Sequence, residues 1–333
     1  MTPDHRAEVL RHLREAERFL LLTHVAPDGD ALGSLVAMEG VLSALGKEVA
    51  LYVAADEFPL PYEYSFLELR GLVHQPPADL AERCVVFLDC GNVDRNPLAV
   101  LQEGTTLLNI DHHHDNTRFG TINHVVPDAS CTTEIVWDLM KDLGVAPTPA
   151  VADALYIGLV TDTGRFMYEN TGTRAHVMAA ELIDAGVDVQ GIYRRLYEEM
   201  PYGKLALLGR ALDSVERHDD GRLTLTRLTR EDYALAGAEE SYSEGVVDHL
   251  RSVRGTKVAA LARELLDADS DRRGVRRAKV SLRSTDGSVD VSAIAREQGG
   301  GGHRQAAGFT TSLSHGELVA FLRAAICAQL APA

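Results

Sequence analysis

The order of apolar and polar residues divides the first part of the chain into alternating strands and helices. Short apolar runs of the kind that form buried strands occur at 19–23, 49–53, 84–89 and 106–111. Apolar residues at helical spacing occur at 4–18, 31–45, 131–143, 149–160 and 173–185. Strands that alternate with helices of this length predict an α/β domain with a doubly wound, mostly parallel sheet covered on both faces.

The pattern changes after residue 186. The next predicted strands are 222–228, 256–265 and 277–284. They alternate polar and apolar residues, which favours a half-exposed mixed sheet. We therefore predict a first domain at 1–186, a linker at 187–205 and a smaller α/β domain with a mixed sheet at 206–330. The charged runs 218–221 and 267–279 are expected to be solvent-exposed hairpin tips.

The composition is that of an ordinary globular protein. The chain has 333 residues, of which 45% are apolar and 25% charged, so extensive disorder is not expected. Asp and Glu number 49 and Lys and Arg 33, which gives a net charge of −16. This acidic character argues against binding to long duplex DNA. A small anionic ligand would need local positive charge, which bound metal ions supply.

The sequence also carries expectations about location. We find no secretory signal pattern and no uncharged apolar run long enough to cross a membrane. The cysteines are Cys84, Cys90, Cys131 and Cys327. None forms a CxxC pair, so neither a cysteine zinc site nor a disulfide framework is expected. These features favour a reduced cytoplasmic protein with no membrane partner.

Acidic and histidine residues follow the predicted strands and one predicted helix. They are His24, Asp28, Asp30, Asp89, Asp111, His112, His113, His114 and Asp162. Ligands of open α/β sheets bind outside the carboxyl ends of the strands, so we expect these side chains to converge. Carboxylates and imidazoles without thiols favour Mn²⁺ or Mg²⁺ over a structural zinc. Two adjacent cations need a shared carboxylate and several further ligands each, which this set provides.

Each of these acidic and histidine motifs, taken alone, has a simpler interpretation. The sequence Pro27-Asp28-Gly29 is typical of a turn, and an aspartate at a strand end often caps a helix. A run such as 111–114 is also found on surfaces, although less readily behind a buried strand. The combination, in this order and at the ends of predicted elements, favours a metal centre.

A glycine-rich segment, 299–308, is the second distinctive feature. It contains Gly300, Gly301 and Gly302, followed by His303 and Arg304. Glycines let backbone N–H groups approach an anion closely, although such a segment can also be a flexible loop.

Two further arginines carry a substrate-binding expectation. Arg283 at a strand end offers a planar fork for a phosphate or a base, and Arg165 lies three residues past Asp162. For both arginines an ordinary surface position is the alternative.

Taken together, these motifs resemble the DHH phosphoesterase superfamily with its associated DHHA1 domain, over nearly the whole chain. Within it, length and domain content are most similar to the bacterial nanoRNase and pAp-phosphatase branch. RecJ exonucleases share the motifs but carry extra DNA-binding domains, for which this chain has no room. Manganese-dependent inorganic pyrophosphatases share the first motifs but lack the glycine-rich end.

The resemblance implies roles for individual residues and an active site in a cleft between the two domains. His24 and Asp28 would hold one metal, Asp30, His112 and Asp162 the other, and Asp89 would bridge them. His113 would face the phosphate, with Asp111 orienting a histidine, so that Asp89, Asp111 and His113 form the catalytic set. The substrate-binding set would be His113, Arg165, Arg283, Gly300, Gly301, Gly302, His303 and Arg304. No role is carried over for His114.

The function implied is hydrolysis of RNA of about two to five nucleotides, and of 3′-phosphoadenosine 5′-phosphate (pAp) to AMP. Two divalent cations per subunit are implied, Mn²⁺ first and Mg²⁺ or Co²⁺ as alternatives, and a homodimer is compatible. The aromatic residues are scattered along the sequence with no stacking platform, which favours short substrates. A cyclic-dinucleotide phosphodiesterase, a polyphosphate or pyrophosphate hydrolase and a catalytically silent nucleotide-binding regulator remain open as alternatives.

Overall fold

The structure is a computed structural model that describes residues 5–58, 60–93, 105–266, 277–302 and 304–330. The chain folds into two compact units, Met1–Glu199 and Met200–Ala333. The division falls inside the segment 187–205. Among the described helices, none has the length and hydropathy that a membrane span requires.

The first unit alternates strands and helices as its apolar pattern predicts. Its strands are β1 Arg18–Leu22, β2 Glu48–Tyr52, β3 Leu72–Val73, β4 Cys84–Leu88, β5 Leu107–Asp111 and β6 Ile122–Val125. Its helices are α1 Arg6–Glu15, α2 Gly29–Ala44, α3 Thr132–Asp142, α4 Pro149–Asp162, α5 Thr173–Asp184 and α6 Val189–Tyr197. The described strands pair in parallel in the order β3-β2-β1-β4-β5-β6, which confirms the doubly wound sheet.

Both faces of this sheet are buried, as a parallel sheet requires. Phe19 and Leu21 of β1 point into one apolar cluster, and Leu20 and Leu22 into the other. This alternation explains why β1 is apolar at every one of these positions. Helices α2 and α4 are themselves buried over most of their length, so the core continues beyond the sheet.

Helix ends in this unit follow local sequence signals. Helix α2 begins after Asp28, whose Oδ1 accepts hydrogen bonds from the backbone N–H groups of Asp30 and Ala31. It ends before Gly46, whose φ of 76° is the left-handed conformation that glycine adopts without strain. The turn chemistry of Pro27-Asp28-Gly29 therefore serves as a helix start.

The second unit contains a mixed sheet, as its alternating pattern predicts. Its strands are β7 Glu216–His218, β8 Leu223–Leu228, β9 Val258–Glu264, β10 Ala278–Ser284, β11 Gly301–Gly302 and β12 Ala306–Thr311. Its helices are α7 Tyr202–Asp213, α8 Arg230–Ala236, α9 Val246–Arg251, α10 Val291–Glu297 and α11 His315–Leu330. In the sheet order β11-β12-β10-β9-β8-β7, the pair of β8 and β9 is parallel and the other pairs are antiparallel.

The two predicted hairpin tips have different outcomes. Residues 219–222 connect the antiparallel strands β7 and β8, so the first is a hairpin tip. Of the second run, residues 267–276 lie outside the described residues. They follow β9 and precede β10, which pair antiparallel.

Candidate metal centre and substrate residues

The acidic and histidine motifs meet where the chain reverses its direction across the sheet. From β1 the chain proceeds outward through β2 and β3, and it then returns to β4 on the other side of β1. His24 lies two residues past β1, Asp89 directly follows β4, and Asp111 is the last residue of β5. Carboxyl ends of strands at such a switch point form the usual ligand-binding crevice of a doubly wound sheet.

Close packing of α2 against α4 places two more carboxylates there. A Cβ atom on Gly33 would lie 2.5 Å from the carbonyl oxygen of Ala154, so only glycine allows this approach. Asp30 in the first turn of α2 and Asp162 at the last residue of α4 are thereby brought to the same site.

The ligand-type atoms form three overlapping groups, and the atoms of each group lie within 4.8 Å of one another. The groups are His24 with Asp28 and Asp89, Asp30 with His112 and Asp162, and Asp89 with His112 and His113. Asp89 lies between the first two groups, because its Oδ2 is 3.6 Å from His24 Nε2 and its Oδ1 is 3.7 Å from His112 Nε2. Two ligand atoms bound to one cation at about 2.1 Å lie about 3–4 Å apart, so these spacings fit ligands.

The histidine ring orientations fit a metal centre as well. Nδ1 of His24 lies 2.8 Å from the carbonyl oxygen of Val25, and Nδ1 of His112 lies 3.4 Å from that of Ala129. A carbonyl oxygen only accepts, so each Nδ1 carries the proton and each Nε2 keeps its lone pair for a cation.

Backbone and hydroxyl donors hold the carboxylates in place. Asp30 accepts hydrogen bonds from the N–H groups of Thr132 and Thr133 at the start of α3, at 2.6 and 2.9 Å. The hydroxyl of Thr132 also donates to Oδ1 of Asp89 at 2.9 Å. Asp89 has a φ of 57°, a strained value for a non-glycine residue and one that occurs often at functional sites.

Crowding of the carboxylates changes their proton affinity. Burial, together with the charges of Asp89 and Asp28, raises the pKa of Asp162 to about 7. Burial and the same neighbours raise the pKa of Asp30 as well. Burial would also raise the pKa of Asp89, but the imidazoles of His24 and His113 outweigh it and hold that pKa below its usual range. Such crowded buried carboxylates are compensated when cations bind among them.

His113 is oriented differently from the other two histidines. Its Nδ1 lies 2.8 Å from Oδ1 of Asp111, a carboxylate with no solvent exposure. The other oxygen of Asp111 accepts a 2.5 Å hydrogen bond from Asn116. The contact with Asp111 occupies Nδ1, the His113 nitrogen that faces Asp89.

Two residues of the site were not found by sequence analysis. Nδ2 of Asn170 donates to Oδ2 and to the carbonyl oxygen of Asp162, at 3.1 and 3.2 Å, and to the carbonyl oxygen of Ser130 at 2.8 Å. Thr132 contacts Asp89 as described above. Neither belongs to a recognisable motif, because each reaches the site through a fold contact rather than through sequence proximity.

Comparison with known proteins agrees with this geometry. The family model described as "DHH family, N-terminal domain" matches residues 18–159, and the DHHA1 domain matches residues 233–331. The chain is 37% identical over 305 residues to a protein of Thermus thermophilus, covering 91% of this chain and 86% of that protein. That relative is named bifunctional oligoribonuclease and PAP phosphatase NrnA. The chain belongs to the DHH family.

Two further matches also extend over nearly the full length of both chains. A Streptococcus mutans protein named probable bifunctional oligoribonuclease and PAP phosphatase NrnA is 26% identical, over 90% of this chain and 91% of its own. A crystal structure of an exopolyphosphatase-related protein from Bacteroides fragilis superposes with a TM-score of 0.85. It is 24% identical and covers 97% of this chain and 95% of its own, so the likeness concerns the fold.

In this DHH-family chain the glycine-rich segment is part of a β-hairpin. Gly301 and Gly302 form β11, which pairs with Gly308 and Ala307 of β12. Gly302 has a φ of 134°, which other residues rarely adopt, and both strand glycines are exposed. His303, which we expected to bind substrate, lies outside the described residues.

The three predicted substrate arginines have different surroundings. Nε of Arg304 donates to the carbonyl oxygen of Gly287 at 3.1 Å, and Arg304 is exposed. Arg283 on β10 is 3.8 Å from Asp248 and also donates to a backbone carbonyl of its own strand. The guanidinium of Arg165 in the first unit lies 5.0 Å from the ring centroid of Tyr197. His114 is exposed.

Proposed function

We propose that this protein is a two-metal phosphoesterase that hydrolyses RNA of about two to five nucleotides and converts pAp to AMP. The observation that carries the proposal is Asp89, whose two oxygens face two separate groups of ligand atoms. The names of the Thermus and Streptococcus relatives, oligoribonuclease and PAP phosphatase, support the substrate class.

We propose Mn²⁺ as the cation at both positions, with Mg²⁺ or Co²⁺ as substitutes. His24 and Asp28 would hold one ion, Asp30, His112 and Asp162 the other, and Asp89 both. The support is chemical: four carboxylates and two imidazole Nε2 atoms are a ligand set that suits Mn²⁺. When bound, the two cations supply charge toward phosphate oxygens and acidify a water molecule.

The residues of the chain then have separate tasks. Asp111 accepts a hydrogen bond from Nδ1 of His113 and so orients the ring, whose Nε2 would form a hydrogen bond to a phosphate oxygen or to the leaving oxygen. The α3 N–H groups at Thr132 and Thr133 keep Asp30 in position during turnover. No serine or cysteine nucleophile is needed in this scheme.

Binding of the nucleotide part is assigned to arginines and to the glycine hairpin. Arg283, Arg304 and His303 belong to the second unit, together with Gly300, Gly301 and Gly302. Gly301 and Gly302 are exposed, and an exposed glycine backbone and planar guanidinium groups suit a terminal phosphate. We further propose that the enzyme acts in a reducing cytoplasm, which agrees with the finding that Cys84, Cys90, Cys131 and Cys327 are not in disulfides.

A substrate panel tests the function. Purified protein with Mn²⁺ is assayed on pAp, pApA, a five-nucleotide RNA, a 24-nucleotide RNA, cyclic di-AMP and inorganic polyphosphate. We expect turnover of the first three at rates well above the others, and no turnover after chelation. Preferred cleavage of cyclic di-AMP or polyphosphate would overturn the assignment. Asp89→Ala, which lacks the shared ligand, is the control for a contaminating nuclease.

A further inference from the structure

Aromatic residues that are scattered in the sequence form a cluster beside the metal centre. Tyr168 follows α4, Tyr193 and Tyr197 lie on α6, and Tyr64 lies in the segment between β2 and β3. Together with Arg165 they are named here the tyrosine cluster. The sequence had indicated no stacking platform, because these residues are brought together only by the fold.

Direct contacts define the cluster. The ring centroids of Tyr193 and Tyr197 are 5.6 Å apart, and the Arg165 guanidinium lies 5.0 Å from the Tyr197 centroid. Tyr168 packs its ring against Gly164, where a Cβ atom would collide with it. Tyr193 and Tyr197 are partly buried against the core, whereas Tyr168 is 52% exposed. Tyr193 and Tyr197 therefore form the partly buried side of the cluster, and Tyr168 is its exposed aromatic ring.

The cluster also contains one positively charged side chain, the guanidinium of Arg165. Within the residues that the structure describes, no carboxylate lies at ion-pair distance from Arg165, whose side chain is held by the Tyr197 ring. Its N–H groups therefore have no ionic partner among the described residues, in a chain with a net charge of −16. A guanidinium presented in this way suits a phosphate group.

The cluster is adjacent to the metal ligands through two links. Arg165 is three residues past Asp162, and the intervening turn is unusual because Gly164, Arg165 and Phe166 have φ values of 56°, 64° and 64°. Asn170, two residues past Tyr168, binds Asp162 directly. On the other side, the turn that carries Tyr64 packs against helix α6, which carries Tyr193 and Tyr197.

We propose that the tyrosine cluster is a nucleotide subsite, in which Tyr168 stacks on the base next to the scissile phosphate and Arg165 binds a neighbouring phosphate. This inference rests on the proposed function and adds a subsite on the first unit to the phosphate-binding residues assigned to the second. Base stacking on an exposed tyrosine tolerates any base, so the subsite selects for a nucleotide but not for a sequence.

The test removes the Tyr168 ring by substitution and the nucleobase by use of abasic analogues, first separately and then together. Wild type, Tyr168→Ala and Tyr168→Phe are assayed with pApA and with two analogues that carry an abasic ribose at the first or second position. Stacking predicts that one analogue has a kcat/KM about 5- to 150-fold lower than pApA with wild type. Tyr168→Ala should abolish this preference, and Tyr168→Phe should retain it because it keeps the ring.

A second variant, Arg165→Gln, tests the proposed phosphate contact. We expect kcat/KM to fall about tenfold or more for pApA and both analogues, with little change for bis-p-nitrophenyl phosphate, which has no second phosphate. If Tyr168→Ala lowers activity equally on base-bearing and abasic substrates, the stacking role is wrong. If wild type does not cleave pApA, the proposed function fails instead. Calorimetric binding of uncleaved pApA and its analogues to wild type, Tyr168→Ala and Tyr168→Phe then tests the subsite alone.

Discussion

Nδ1 of His113 lies 2.8 Å from Oδ1 of Asp111, at the carboxyl end of strand β5. Asp111 is completely buried and is itself fixed by the amide of Asn116. A buried carboxylate that accepts from one ring nitrogen determines which nitrogen faces outward. The adjacent His112 makes no such contact, and its Nε2 faces Asp89 and Asp162 instead.

This difference predicts separate phenotypes for neighbouring histidines. His113→Ala should keep both cations and lower kcat by about 10²–10⁴-fold, because a proton or hydrogen-bond donor is lost. His112→Ala should lose cation affinity as well as activity. Calorimetric metal titration and steady-state assays measure both effects. If His113→Ala were the variant that loses a cation, the two assignments would be exchanged. His114→Ala serves as the exposed control.

Asp89 should be the most sensitive of the ligands. Asp89→Ala removes a carboxylate that faces both ligand groups, so we expect loss of both cations and no measurable turnover. His24→Ala removes a donor from one group only and should leave partial metal binding. Bound Mn²⁺ is measured by elemental analysis after gel filtration. Asp128→Ala, at an exposed aspartate of the same unit, should behave as wild type. Full activity of Asp89→Ala would disprove the shared-ligand role.

The strands that were predicted correctly carry either a short, mostly apolar run or a regular alternation of polar and apolar residues. Strand β4 is apolar and buried at every position, and strand β8 alternates leucine with polar residues. The strand Ile122–Val125 was missed because Asn123 and His124 interrupt its apolar pattern at the sheet edge. Helix α6 was interpreted as a connecting segment, although Ile192 and Leu196 at helical spacing bury one face of it.

Sequence analysis predicted only those residues of the candidate site that belong to a local sequence motif. His24, Asp89 and Asp162 carry their signal in local sequence, next to strand and helix ends. Asn170 donates a hydrogen bond to Asp162, and the turn that carries Tyr64 packs against helix α6 from another part of the chain. Contacts between segments that lie far apart in the sequence depend on how the protein packs. The spacing of residues along the chain does not predict them.

Metal-free protein should lose stability as pH rises. The folded-state pKa of Asp162 is about 7 and that of Asp30 is also raised, so the native state binds protons that the unfolded state has released. Stability therefore falls as the pH rises from above the ordinary aspartate pKa of 3.8 to about 7, and it levels off above that. The lowered pKa of Asp89 contributes a constant amount in this range. Thermal unfolding in EDTA measures the slope, which Mn²⁺ should abolish and Asp162→Asn should reduce. A pH-independent midpoint in EDTA would contradict the prediction.

Damage to the second unit should weaken substrate binding without emptying the metal centre. Arg283→Ala and His303→Ala each remove a contact to phosphate, for which we expect a roughly 10- to 150-fold lower kcat/KM on pAp. Bound Mn²⁺ should stay unchanged. Bis-p-nitrophenyl phosphate has no nucleotide to bind, so its hydrolysis should change less. Equal losses on both substrates would show that these residues serve the chemical step.

The packing of α2 on α4 leads to a prediction about a residue that carries no functional group. A Cβ atom on Gly158 would lie 2.7 Å from Oδ1 of Asp30 and would also collide with Thr133, whose N–H holds Asp30. We expect Gly158→Ala to destabilise the protein by about 1–3 kcal/mol through overpacking, and to weaken the Asp30 group of metal ligands more than the His24 group. Gly209→Ala is the matched control, because that helical glycine has open space around it, and alanine there should stabilise the helix by roughly 0.5–1 kcal/mol. Thermal unfolding with EDTA isolates the packing effect, and stepwise calorimetric titration with Mn²⁺ reveals which cation is lost. If Gly158→Ala bound both cations with wild-type affinity, the close approach of α2 and α4 would not be what positions Asp30.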